Sequence, residues 1–117
     1  MSDLTQAPDI HKVTKTWGYE LWIANSALYC GKMLHFNAGK RCSLHYHKLK
    51  DETFYLHSGH VVVKLLGPAQ DSEVRLLPGD SLHIPPGTLH QIEALADSDL
   101  YEFSTEHFDS DSYRISR

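Results

Sequence analysis

From about residue 20 to residue 104 the chain is written as short apolar or alternating runs, each closed by Gly, Pro, Asn or Asp, with no amphipathic helical pattern of convincing length. Strands are predicted over 20–24, 29–36, 43–47, 52–56, 60–66, 74–77, 81–84, 90–94 and 100–104. The connections Asn37-Ala38-Gly39, Ser58-Gly59, Gly67-Pro68, Pro78-Gly79-Asp80 and Pro85-Pro86-Gly87 supply the fixed or positive φ that tight turns require. Many short strands at even spacing mean an all-β sandwich or barrel.

With 117 residues there is room for one core and none for a second domain. The expected organisation is a single domain over 1–117, with a core at about 17–106 and peripheral arms at 1–12 and 107–117. Fifteen acidic residues against 11 basic ones give a formal net charge of −4, and the basic ones form no stripe, so no nucleic-acid partner is expected. No run approaches the ~18 apolar residues that span a bilayer, and the N-terminus lacks a leader pattern, which predicts a cytoplasmic protein with no membrane partner. Cys30 and Cys42, at no diagnostic spacing, are expected to stay reduced.

The chemistry is concentrated in two segments. Residues 39–59 read G-x5-H-x-H-x4-E-x6-G, with His45, His47 and Glu52 at the polar positions, and residues 79–90 read G-x5-P-x-G-x2-H, ending in His90. Among nine histidines an H-x-H pair is expected about 0.7 times by chance, so the pair alone means little; the full set of spaced residues is expected about once in ten million. On a strand His45 and His47 project to one face, roughly 7 Å apart at Cα. Glu52 follows across the next turn, and His90 heads a later strand behind a rigid Pro-Pro-Gly turn. Three imidazoles and one carboxylate suit one divalent transition metal per chain, whether Fe, Mn, Zn, Ni or Co, with one or two positions open for substrate or water. Asp51 competes with Glu52, but alternation with Phe54 and Leu56 turns Glu52 inward. His83, between Leu82 and Ile84, is expected to point outward, while His35 sits on a strand that faces the cavity if its alternation runs that way. Trp17, Tyr19 and Trp22 are read as barrel closure or dimer packing, with a substrate platform as the other reading.

The two segments match both signature motifs of the cupin superfamily, and the chain resembles a small single-domain cupin. That implies a double-stranded β-helix, or jelly-roll barrel, and His45, His47, Glu52 and His90 as its metal ligands. The second motif ends in Ala94 where Asn is usual. Over 17–114 the order of Trp17-Gly18-Tyr19-Glu20, Ser43-Leu44-His45-Tyr46-His47, the stretch His83 to His90, Tyr101-Glu102-Phe103-Ser104 and Asp111-Ser112-Tyr113-Arg114 resembles the cupin part of bacterial mannose-6-phosphate isomerases. Those enzymes commonly have Gln where this chain has His45.

The resemblance implies a small-molecule, carbohydrate substrate and a metal-dependent sugar or sugar-phosphate isomerase or epimerase. Arg114 matches that group's C-terminal Arg, a candidate to hold a phosphate or an enediolate. Glu102 is a candidate base only if its strand turns that face inward, and Tyr101 and Phe103 beside it argue for the opposite. The alternatives are an Fe(II)-dependent cupin dioxygenase and a non-enzymatic sugar-binding or sensory cupin. A homodimer is expected from the resemblance and from the need to cover sheet edges.

Overall fold

The computed structural model describes residues 10–115. Its strands, in chain order, are β1 His11–Lys15, β2 Gly18–Asn25, β3 Cys30–Phe36, β4 His45–Tyr46, β5 Glu52–Ser58, β6 Val61–Leu66, β7 Asp71–Leu76, β8 Ser81–Ile84, β9 Leu89–Ala94, β10 Ser98–Ser104 and β11 Tyr113–Arg114, with one 3-10 turn at Asp109–Asp111. They form a six-stranded sheet, β1-β2-β3-β10-β5-β8, and a five-stranded sheet, β11-β4-β9-β6-β7. All pairings are antiparallel. The sheets bury their inner faces against each other, as the jelly-roll expectation required.

The inner faces follow the sequence alternation. On β5 Glu52, Phe54 and Leu56 are buried, on β9 His90, Ile92 and Ala94, and on β10 Ser98, Leu100 and Glu102. The apolar members join Trp17, Leu34, Phe36, Val61, Val63, Leu76 and Ile84 in one core. Along β5 and β9 the polar residue sits at one end and the apolar ones follow, and Glu102 of β10 stands in register with Phe54 next to Glu52, so the charged and imidazole groups gather at one end of the barrel. Ala94 lies fully buried toward the other, apolar end. Gly59 closes the β5–β6 turn at φ +96°, where a Cβ would run into Ser98 Oγ and the Asp97 carbonyl, so both conformation and space require glycine at the end of the first motif.

One strand begins in the segment expected as the N-terminal arm and another lies within the C-terminal one. β1 pairs with β2 over five residues although only Val13 is apolar, and β11 is a two-residue strand held by β4. Cys30 and Cys42 are buried free thiols. Among the described residues no helix is long and apolar enough to cross a membrane.

A candidate metal centre

His45 on β4 and His90 on β9 are direct cross-strand partners, so their rings lie side by side on the five-stranded sheet, with centroids 4.4 Å apart and planes tilted by 51°. His47 follows on the same side, its ring 5.0 Å from that of His45. One ligand nitrogen from each lies within 4.8 Å of the others. Glu52, from β5 of the opposite sheet, brings Oε2 to 3.6 Å from His47 Nε2 and 3.7 Å from His90 Nε2.

Backbone carbonyls set the tautomers. Nδ1–H donates to Ser43 O in His45, to Asp111 O in His47 and to Thr88 O in His90, each at 2.8 Å. That leaves every Nε2 as a bare lone pair, the form that ligates a metal. Burial, helped in each case by nearby positive charge, lowers the pKa of all three, to about 4 for His47 and about 3 for His90. Burial first, and then the Glu102 charge, raises Glu52 to about 8 against the pull of Lys50 and Lys32. Glu52 Oε2 and His90 Nε2 are buried without a hydrogen-bond partner. At 3.7 Å the two atoms are too far apart to bond each other, and each orphaned atom costs about 1–3 kcal/mol. A cation between them removes both penalties, and donors about 2.1 Å from a common ion stand about 3 to 4 Å apart, so the residues fit a divalent ion.

The same shifts predict how the metal-free protein responds to pH. His47 and His90 take up protons on unfolding, so their contribution is whole above their ordinary 6.5 and is lost as pH falls toward about 4 and about 3. Glu52 does the reverse: its contribution is whole below 4.5 and is lost as pH rises through about 8. Thermal melts of metal-free protein are therefore expected to peak in mild acid and decline toward pH 8. Glu52→Gln should abolish the alkaline decline; a decline of undiminished size would contradict the assignment.

His45, His47 and Glu52 line a cavity of about 770 Å³ between the sheets. Its far wall carries a second polar group, of which sequence reasoning named only Glu102. Lys50, in the loop before Glu52, is 3% exposed and donates to Glu102 Oε2 at 3.0 Å, with Glu102 4% exposed. Glu102 thus faces inward, against the expectation from Tyr101 and Phe103, because the outer face of β10 is itself apolar. Burial works to raise Glu102, but the charges of Lys50 and Lys32 and hydrogen bonds from Lys50 and Ser104 hold it below the usual carboxylate range. Lys32, also buried, lies 3.4 Å from Glu20 Oε1 and over the Trp22 ring, while Trp22 Nε1 donates to Glu20.

Lys32 was legible, since it alternates with Cys30, Leu34 and Phe36 on the inner face of β3; Lys50, in a loop, left no such signal. Arg114, exposed and paired in register with His45, also lines the cavity. His35 turns outward instead, stacking on Tyr19 and bonding Asp99, and His83 points outward to Asp51 as expected. Trp17 packs on Phe36 in the core, whereas Trp22 faces the cavity.

The Cupin domain family model matches residues 32–104, the stretch that carries both metal motifs and Glu102. The chain belongs to the cupin family. Within that family, this cupin is 40% identical over 52 residues to quercetin 2,3-dioxygenase of Bacillus subtilis (strain 168), a match covering 44% of the chain and 14% of that protein. Among solved structures it resembles Bacillus subtilis oxalate decarboxylase (TM-score 0.82, 19% identity, 92% of this chain and 30% of that one). It also resembles the capsular polysaccharide assembling protein CapF of Staphylococcus aureus (TM-score 0.81, 20% identity, 98% and 35%). The cupin spans only about a third or less of each of these proteins, and the structural likenesses establish the fold alone.

Proposed function

We propose that this cupin is a metal-dependent sugar or sugar-phosphate isomerase or epimerase, with His45, His47, Glu52 and His90 holding one divalent transition ion. The observation that carries this reading is the wall facing the histidines, where Glu102, Lys50, Lys32 and Glu20 place two carboxylates and two ammonium groups in one cavity. Paired donors and acceptors of that density suit a compact substrate covered with hydroxyls. A flat, mostly apolar substrate would cover these two ion pairs without meeting their remaining donors and acceptors, at about 1–3 kcal/mol for each one left unmet. The ordered resemblance to mannose-6-phosphate isomerases supports the same ligand class.

A bound ion would supply polarisation of the substrate carbonyl and its neighbouring hydroxyl. Glu102, kept ionised by Lys50 and Ser104, takes the proton from the carbon beside the carbonyl and returns it to the adjacent one. Arg114 offers bidentate donors to a phosphate at the exposed side of the cavity.

A second reading, an Fe(II)-dependent dioxygenase, is favoured by the quercetin 2,3-dioxygenase match and by a donor set that leaves positions open for two ligands. The two separate in one experiment. Protein reconstituted with Mn, Fe, Zn, Ni or Co is incubated in D2O with mannose 6-phosphate and followed by proton NMR, with an oxygen electrode in parallel. Deuterium entering C1 or C2 without oxygen uptake is the expected result. Oxygen uptake by the iron form would establish the dioxygenase, and saturable sugar binding with neither signal would leave a binding module.

We further infer that the cupin pairs with a second copy through the outer face of the six-stranded sheet. Leu21, Met33, Tyr101 and Tyr55 stand in register across it, with Phe103 57% exposed beside them. At the rim His35 is bonded to Asp99 and His83 to Asp51, so these polar groups are engaged within the chain and the face selects by shape and apolar area, which suits an isologous contact. Sedimentation is expected to give a dimer that Tyr101→Glu converts to monomer; a monomeric wild type would refute it.

A further inference from the structure

The loop that joins His47 to Glu52 contains no glycine or proline to set its shape, and its one apolar side chain, Leu49, is 67% exposed and does not anchor it. Asp51 is bonded to Thr105 at the end of the loop, and the rest of its backbone N–H groups are held from 61 to 63 residues away. Asp111 is 3% exposed on the 3-10 turn before β11, and its carboxylate accepts three consecutive N–H groups. Oδ1 takes Lys48 at 2.9 Å and Leu49 at 3.2 Å, and Oδ2 takes Leu49 at 3.2 Å and Lys50 at 3.0 Å. The main-chain oxygen of the same residue accepts His47 Nδ1–H at 2.8 Å. We propose that Asp111 is a positioning residue for the metal centre: one side chain spaces His47 from Glu52 and delivers Lys50 to Glu102, while its carbonyl points His47 Nε2 into the site.

The chemistry of the residue supports this. The buried Asp111 carboxylate gives up water and takes three loop N–H donors in its place, the arrangement that suits an ionised acceptor. Asn in its place would turn an NH2 group toward a backbone N–H and leave loop donors unsatisfied. Partners of this kind, one bond removed from the ion, typically account for 10–100-fold in metal affinity. β11 follows directly and clamps β4 through Tyr113 and Tyr46, so the C-terminal segment acts as a strap across the ligand loop.

The inference rests on the metal reading, and the test keeps the two apart. Co(II) affinity and the Co(II) visible spectrum are measured for wild type, Asp111→Asn, Asp111→Glu and the core variant Leu76→Ala, which removes a buried side chain at the apolar end. The expected result is a 10–100-fold weaker affinity and an altered spectrum for Asp111→Asn. Asp111→Glu should recover part of the affinity, and Leu76→Ala should bind as wild type despite its lower melting temperature. Equal binding by wild type and Asp111→Asn, or an equal loss in Leu76→Ala, overturns the role of Asp111 alone. A wild type that binds no Co(II) removes the metal reading itself. If Asp111→Asn does not fold, hydrogen exchange on wild type decides. The amides of Lys48, Leu49 and Lys50 should exchange at least about tenfold more slowly with Zn(II) bound, and unchanged rates would overturn the proposal.

Discussion

Glu102→Gln is expected to lower the stability of the fold by about 3–5 kcal/mol and to abolish turnover of the sugar substrate. The stability loss follows from Lys50, whose ammonium is 3% exposed and bonds Glu102 at 3.0 Å. With a neutral amide opposite, a buried charge is left uncompensated, and breaking such a pair from one side costs about that much. The loss of turnover follows from the carboxylate's role in moving the proton, which is worth about 100- to 10,000-fold. The two effects come apart in the double variant Lys50→Met with Glu102→Leu, because an apolar pair of similar volume commonly matches or exceeds the stability of the ion pair it replaces. That variant is expected to melt near wild type and remain inactive. Full activity in either variant would remove Glu102 from the mechanism, and a double variant as unstable as the single one would refute the account of the pair.

His90→Ala should weaken binding of the divalent ion at least about a hundredfold, equivalent to about 2.7 kcal/mol. His90 is 1% exposed, directly opposite His45, with Nδ1 committed to Thr88 O and Nε2 without a partner. Its loss removes a donor that no neighbouring side chain replaces, leaving His45 and His47 with Glu52. Thermal melts read this without any assumption about activity. The wild type gains stability as the ion is added at increasing multiples of its dissociation constant, and the variant at the same high concentrations gains less by about 2.7 kcal/mol or more. An undiminished shift in His90→Ala would place the ion elsewhere.

The site was legible where alternation and burial agree. Glu52 was separated from Asp51 because Phe54 and Leu56 share its face, and the structure turns all three inward. Glu102 was misjudged by the same rule, because Tyr101 and Phe103 are apolar yet face outward, on a sheet whose outer surface is itself apolar. A rule that equates apolar with buried fails at such a face. β1 was missed because His11–Lys15 has a single apolar residue and owes its existence to pairing with β2, and β11 because two residues carry no periodicity. Lys50 and Asp111 lay beyond local reasoning. Their partners are 52 and 61 to 64 positions away, and only the closing of the two sheets brings them together.

The most direct test of the central claim is the metal content of untagged protein, purified without chelator or immobilised metal and assayed by elemental mass spectrometry beside His47→Ala. The account predicts about one divalent transition ion per chain in the wild type and none in the variant. A wild type that stays metal-free after reconstitution with Fe, Mn, Ni, Co and Zn would contradict it.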